Sequence, residues 1–255
     1  MEGRRRELPQ QLIGLVALAL AIAIAVPLTA SIVMDGVRDV KRTRDTIAVT
    51  GSAKQPIQAN LAIWRLYVSA RERTPAAAAR SLREKVRAVD AFLSAHGLGD
   101  GTIRKPPLSI EETSVSVPTG LKKPAFRRVP AWRVYQSYRV STGEIDRLES
   151  TAAAVDSLLL QGVDVSVDRI QYLSTQLTTA KFAALRLATH DAERRAETIA
   201  EGLGGELGAV RSVHLGVYQI TPRNSTEVSD YGINDTSTRE KDVTAVVTVT
   251  FAVNR

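Results

Sequence analysis

The chain has no cysteine in 255 residues. That excludes disulfides, thiolate chemistry and cysteine-based metal sites, and it is compatible with an oxidising compartment. Aromatic residues make up only 5% of the sequence, so aliphatic side chains and alanine must fill the core. Histidine is scarce too: His96, His190 and His214 are all there are. His96 falls at a predicted helix end, His190 beside Asp191 and Glu193 on a charged helical turn, and His214 among alternating apolar residues. None meets another ligand at metal spacing, so all three read as cap or surface histidines.

Other signatures of chemistry are also missing. "GLGGELG", Gly202 to Gly208, has the spacing of a dinucleotide fingerprint, but that motif needs a strand before the glycines and a helix after them. Here a helix precedes and a strand follows, which makes the stretch a helix C-cap and turn. Glu111 and Glu112 are adjacent, so on a strand they face opposite ways and form a poor acid–base pair. No serine sits in a nucleophile-elbow context. The expectation is therefore no enzyme, no catalytic residue, no cofactor and no metal; a small-molecule ligand stays unknown.

What the chain does have is a long apolar run and an excess of positive charge. From Gln11 to Met34 there is no charged residue. About 23 apolar residues rising 1.5 Å each cross a ~30 Å hydrocarbon core. The alternative is a cleaved signal peptide, with Arg4 to Arg6 as its n-region and Leu12 to Val26 as its h-region. Ile32, Val33 and Met34 extend the run and favour an uncleaved anchor. The sequence thus divides into an N-terminal tail (1–10, cytoplasmic), a transmembrane signal anchor (11–34), a juxtamembrane linker (35–45) and a domain over 46–255. Lys and Arg counts on the two sides of the anchor nearly balance, and the undiluted Arg4 to Arg6 lean towards placing the domain outside. The net charge of +7 has part of its origin in these flanks, and no motif supports nucleic-acid binding.

Along the domain, "TIAVTG" and "LAIWRLYVSA" alternate as strands. Ala62, Trp64, Leu66, Val68 and Ala70 lie on one face of the second, with Arg65, Tyr67 and Ser69 on the other. Thr74-Pro75 opens a helix striped by Leu82, Val86, Val89 and Leu93 and closed by His96-Gly97. "TIRKPPLSI" is a strand interrupted by Pro106-Pro107, "VPTGLKKPAFRRVP" a loop, and "AWRVYQSYRV" a strand. Ser141 to Glu144 has capping-box spacing for a second helix striped by Ile145, Leu148, Ala152, Val155 and Leu159. "VDVSVDRIQYL" is strand-like. A third helix carries Phe182, Leu185, Ala188, Ala192, Ala196 and Ile199. "AVRSVHLGVYQI" and "VTAVVTVTFAV" are strands. The expected order is ββαββαβαββ, an α+β fold with a mixed or antiparallel sheet packed by helices.

Two charged stretches stand out. Lys122, Lys123, Arg127 and Arg128 belong to a basic run that extends to Arg139. Thr221 to Asp242, "TPRNSTEVSDYGINDTSTREKD", is a long polar insertion between strands, with Glu227, Asp230, Tyr231 and Asp235 as its candidate contact residues. One reading is two solvated loops; the sharper one is complementary docking within or between subunits. Within the insertion, Val228, Tyr231 and Ile233 are expected to anchor an ordered loop that bends at Tyr231-Gly232.

The stretches "TIAVTGSAKQPIQANLAIWRLYVSARE", "YQSYRVSTGEIDRLE" and "KFAALRLATHDAERRAETIAEGLGGELGAVRSV" resemble the SIMPL domain family, which includes periplasmic immunogenic protein and oxidative-stress-defence relatives of bacteria. "GVYQITPRNSTEVSDYGINDTSTREKDVTAVV" looks like its membrane-anchored branch. Where many members carry Pro-Asp before the second strand, this chain has Ala59-Asn60. The resemblance implies an extracytoplasmic α+β domain on the bacterial inner membrane, linked to envelope or oxidative-stress tolerance. It also implies homo-oligomers, since a relative forms a ring-like particle, and it brings no catalytic residues. A monomeric module that takes an anionic peptide, polysaccharide or lipid headgroup through the basic 122–139 stretch is the alternative.

Overall fold

A computed structural model describes residues 45–99, 101–118 and 126–254. The predicted anchor at 11–34 and its flanks lie outside these residues, and among the described residues no helix is long and apolar enough to cross a membrane. The fold is α+β, with helices and mostly antiparallel sheets, as the residue patterns predict. Its contacts divide into two compact units, and strand β1 (Thr46–Gln58), helix α4 (Leu177–Gly202) and strand β11 (Glu240–Asn254) each run through both.

The unit made of 53–187 and 217–245 contains a sheet built around strand β2 (Leu61–Glu72). β2 pairs antiparallel with β5 (Phe126–Thr142) over its whole length, Trp64 opposite Val140 and Arg71 opposite Arg133. On its other edge it pairs with β6 (Val165–Val167) and β7 (Gln171–Leu173), and the outer edge of β5 takes β3 (Ile103–Arg104) and β4 (Ser109–Pro118). Helices α1 (Pro75–Ala95), α2 (Ile145–Ala153) and α3 (Asp156–Leu160) all contribute to one core with this sheet. The predicted apolar face of β2 is buried in full, and it meets Leu82, Val89 and Leu93 of α1 and Ile145 and Leu148 of α2. Tyr138 keeps its hydroxyl satisfied in this core by donating to Asp90 Oδ1 at 3.1 Å.

The caps explain where α1 begins and ends. The Thr74 side chain accepts from the Ala77 N–H at 3.2 Å ahead of Pro75, and Gly97 takes the left-handed conformation at φ +75 that closes the helix. The second helix departs from expectation. Its N-terminus is not capped by Ser141; the Thr142 hydroxyl accepts from the Glu144 N–H instead, and the helix breaks at Ala154, so that α2 and α3 are separate. The 117–130 stretch is likewise not a loop throughout. Phe126 to Pro130 pair with Ser114 to Pro118, so strand pairing runs out along a hairpin. Pro118 is tolerated there because β4 is an edge strand, and Pro130 because it lies beyond Trp132, the last residue of β5 that pairs with β2.

The unit made of 45–52 together with 188–216 and 246–254 holds the first part of β1, strand β8 (Glu206–Leu215) and the second part of β11, which pairs with β8 from Val247 opposite Leu215 onwards. The stripe predicted for α4 holds at Ala188, Ala192 and Ala196 and is corrected at its two ends. Phe182 and Ile199 are exposed; the buried positions are Ala180, Ala184, Ala188, Ala192, Ala196 and Ala200. The reason lies in β1. A Cβ on Gly51 would stand 2.2 Å from the Ala188 carbonyl oxygen and 2.4 Å from the Ala192 nitrogen. Helix and strand backbones touch, and only glycine facing alanine leaves room. The Ser52 N–H donates to Asp191 Oδ2 at 3.0 Å beside this contact; that bond, with the Arg195 guanidinium, holds the Asp191 carboxyl below its ordinary range. Gly51→Ala should therefore lower stability by roughly 1–3 kcal/mol through overpacking. Chemical denaturation measures it, and an unchanged midpoint would contradict the close approach.

Candidate functional site

The polar insertion at 221–242 is ordered, and a buried ion pair orders it. Lys241 Nζ stands 2.6 Å from Asp235 Oδ2, with side-chain exposures of 3% and 8%. Asp235 Oδ1 also accepts from the backbone and hydroxyl of Ser237, and Oδ2 from the backbone and hydroxyl of Thr238. Burial alone would push this carboxyl up. The hydrogen bonds from Lys241, Ser237 and Thr238 outweigh it and hold the group well below the usual carboxylate range. A carboxylate so fully engaged has no lone pair to offer a partner or a cation. Asp235, expected on the contact surface, is instead the root of the loop.

The loop is tied to its surroundings on several sides. Strand β10 (Ile233–Asn234) pairs parallel with β9 (Gln219–Pro222), and β9 pairs antiparallel with the first residues of β11. The Thr236 carbonyl accepts from the Tyr172 N–H at 2.8 Å and the Arg239 carbonyl from the Ala59 N–H at 2.8 Å. The Arg239 side chain reaches α2, with Nη1 2.6 Å from Asp146 Oδ1 and 3.3 Å from Glu149 Oε2. Glu149 in turn accepts from the Tyr172 hydroxyl at 2.6 Å; burial and this carboxylate push Tyr172 up to about 12. Lys54 caps the Ser225 carbonyl at 3.0 Å, and Asn224, at φ 62, donates its N–H to Asp242 Oδ2 at 3.1 Å.

The bend falls at Gly232, as predicted: its φ is +81, and a Cβ there would meet the Tyr218 carbonyl oxygen at 2.8 Å. The predicted apolar anchors are corrected. Val228 is 81% and Tyr231 98% exposed, and of the three only Ile233 is drawn in, on β10. The base is held by charge and hydrogen bonds, and the tip displays its apolar side chains to solvent.

Glu227 and Asp230 are exposed beside that tip and have no ion pair among the described residues. Arg127 and Arg128 are exposed on β5 near the end of the hairpin, also without an ion pair among the described residues. Lys122 and Lys123 lie outside the described residues. Among the described residues, no ion pair joins the basic and acidic stretches within one chain. Sequence reasoning missed Lys241 and Arg239, which carry the loop. A lysine flanking an alternating strand gives no signal of burial, because its partner is six residues away across a turn.

No three acidic or histidine side chains gather as a metal site among the described residues. An open groove of about 640 Å³ beside β1 is lined by Thr50, Asp191, Arg194 and Arg195 with no histidine or second carboxylate. A second groove, of about 530 Å³, surrounds the start of α2 and contains the Arg239 and Asp146 pair already described.

Breaking the Asp235–Lys241 pair should cost about 3–5 kcal/mol, as for other buried pairs that lose one partner. Asp235→Asn and Lys241→Met should each show this in thermal unfolding. The folded carboxyl titrates below its unfolded value of about 3.9, so its contribution is complete above about pH 4 and is lost as pH falls further. Asp235→Asn should remove that acid-side loss. An unaltered pH profile would contradict the assignment.

No curated protein matches the chain. A solved structure described as an amidohydrolase/peptidase from Burkholderia cenocepacia is similar over 58% of this chain and 36% of its own, at 12% identity and a TM-score of 0.20, a likeness too slight to carry an argument. The chain thus spans about a third of that protein's length. The model of the SIMPL family, described as a protein of unknown function (DUF541), matches residues 47–251, nearly all of the described fold, and the chain belongs to that family.

Proposed function

We propose that this protein is a membrane-anchored, extracytoplasmic interaction protein that assembles with copies of itself and supports tolerance of envelope or oxidative stress, with no catalytic chemistry of its own. The apolar run at 11–34 supports the anchor, and with it a place on the bacterial inner membrane. The observation that carries the reading is the 221–242 loop, which presents Tyr231, 98% exposed, and Val228, 81% exposed, on a base fixed by a buried ion pair. An aromatic side chain held on an ordered support loses little freedom when it binds, which is the property of an interface anchor. Among the described residues the acids beside it and the arginines on the hairpin have no ion pair, so two copies offer each other complementary charge.

A second reading keeps the domain monomeric and has the basic 122–139 stretch take an anionic ligand. The absence of ion pairs at Arg127 and Arg128 among the described residues favours it.

Light scattering of the detergent-solubilised full-length protein should give an oligomer at micromolar concentration. Arg127→Glu with Arg128→Glu should weaken it, and adding Glu227→Lys with Asp230→Lys should partly restore it. Tyr231→Ala should weaken it without lowering thermal stability. A strict monomer overturns the assembly reading.

A further inference from the structure

Helices α1, α2 and α3 pack on one face of the sheet built around β2, with Trp64, Leu66 and Val68. The opposite face carries a pattern the sequence shows only in part. Arg104 on β3 stands opposite Arg139 on β5, and Arg139 opposite Arg65 on β2. Residues directly opposite share a face, so three guanidinium side chains rise in one row across three strands. Neighbouring strands lie about 4.8 Å apart, which makes the row about 10 Å long. Like charges directly opposite each other are destabilising in a sheet. Among the described residues none of the three has an ion pair, and Arg104 and Arg139 are exposed.

The next three rows towards Glu72 contain no apolar side chain on this face, whereas the row on the other side of Arg65 holds Ile63, which is buried. Two residues further along, Tyr67 lies between Ser137 and Ser166, and beyond it Tyr135 lies between Ser69 and Ser109. The last row places Arg71 beside Arg133, which is paired with Glu111 at 3.0 Å. Acceptors border the tyrosines: Tyr67 donates to Asp168 Oδ2 at 3.2 Å, and Ser69 to Asp164 Oδ2 at 3.4 Å.

We infer that this sheet face binds an acidic polysaccharide, with Arg65, Arg104 and Arg139 on its carboxylates or sulfates and the tyrosine and serine rows on its sugar rings and hydroxyls. Three cations in a line suit a chain bearing repeated anions better than one isolated phosphate. Arginine meets carboxylate and sulfate through paired hydrogen bonds. The serines, with Asp164 and Asp168, offer acceptors to a ligand rich in hydroxyl donors, which a bare polyphosphate cannot use. The four rows hold no large apolar side chain to enter a bilayer, which a docking surface for lipid calls for. The inference rests on the second reading above, that the basic stretch takes an anion, but moves the contact from the hairpin to the sheet face.

The test is binding of full-length protein in detergent to polygalacturonate, with dextran, phosphatidylglycerol vesicles and single-stranded DNA as comparison arms. Saturable binding to polygalacturonate that weakens with salt, and none to dextran, is expected. Arg65→Ala with Arg139→Ala should weaken it about tenfold or more at unchanged oligomeric state and melting temperature, and Tyr67→Phe, which keeps the ring, should weaken it less than Tyr67→Ala. Unchanged binding in the double variant overturns the inference. So does binding to vesicles or DNA in preference to the polysaccharide. If Arg127→Glu with Arg128→Glu abolishes binding and the face variants do not, the hairpin reading stands and the sheet-face inference falls.

Discussion

The contact between Asp235 and Lys241 is the constraint on which the distinctive part of this protein depends. A polar stretch of this length has little apolar surface to bury and would ordinarily lose too much conformational freedom to stay ordered. One carboxylate that gathers the ammonium of Lys241 and the backbone and hydroxyl groups of Ser237 and Thr238 ties both ends of its last turn together. With that turn fixed, the Thr236 and Arg239 carbonyls meet Tyr172 and Ala59, and the Arg239 side chain meets the acids of α2. Polar contacts thus do at the base of the loop what apolar burial does in the core of the sheet.

The same logic accounts for the exposed tip. Because the base is self-sufficient, Val228 and Tyr231 are not needed for folding and remain in water. Large side chains left exposed on an ordered support are the part of a surface most suited to binding. The other unit is governed by a different constraint. There the approach of α4 to β1 is set by Gly51 against Ala188 and Ala192, and small residues replace the large apolar stripe expected of a buried helix.

Much of the fold was legible in the residues. The alternation in β2 placed its buried face correctly, and Thr74-Pro75 and Gly97 marked both ends of α1. The sequence failed where a contact depends on residues far apart. Phe182 and Ile199 outweigh alanines on any hydrophobicity scale, and only the distant Gly51 shows why the alanine side is buried. Prolines and charges in "VPTGLKKPAFRRVP" read as a loop, because pairing with an edge strand leaves no local mark. At the candidate surface, Glu227, Asp230, Arg127 and Arg128 are exposed, and so is Tyr231, which the apolar pattern of the loop had marked as an anchor. Asp235 is not: acidic residues are seldom buried unless paired, and its partner could not be named from spacing. The arginine row was half visible in the alternation of Arg65 with Tyr67, but strand register alone brings Arg104 and Arg139 beside it.

The central claim is that the fixed loop presents its tip to another copy of the chain. Photocrosslinking in native membranes, with a photoreactive side chain placed at position 231, tests it most directly. A covalent product containing two copies of this chain is expected, lost when Arg127 and Arg128 are reversed in charge. A product that contains only the monomer, with the loop still ordered, would contradict it.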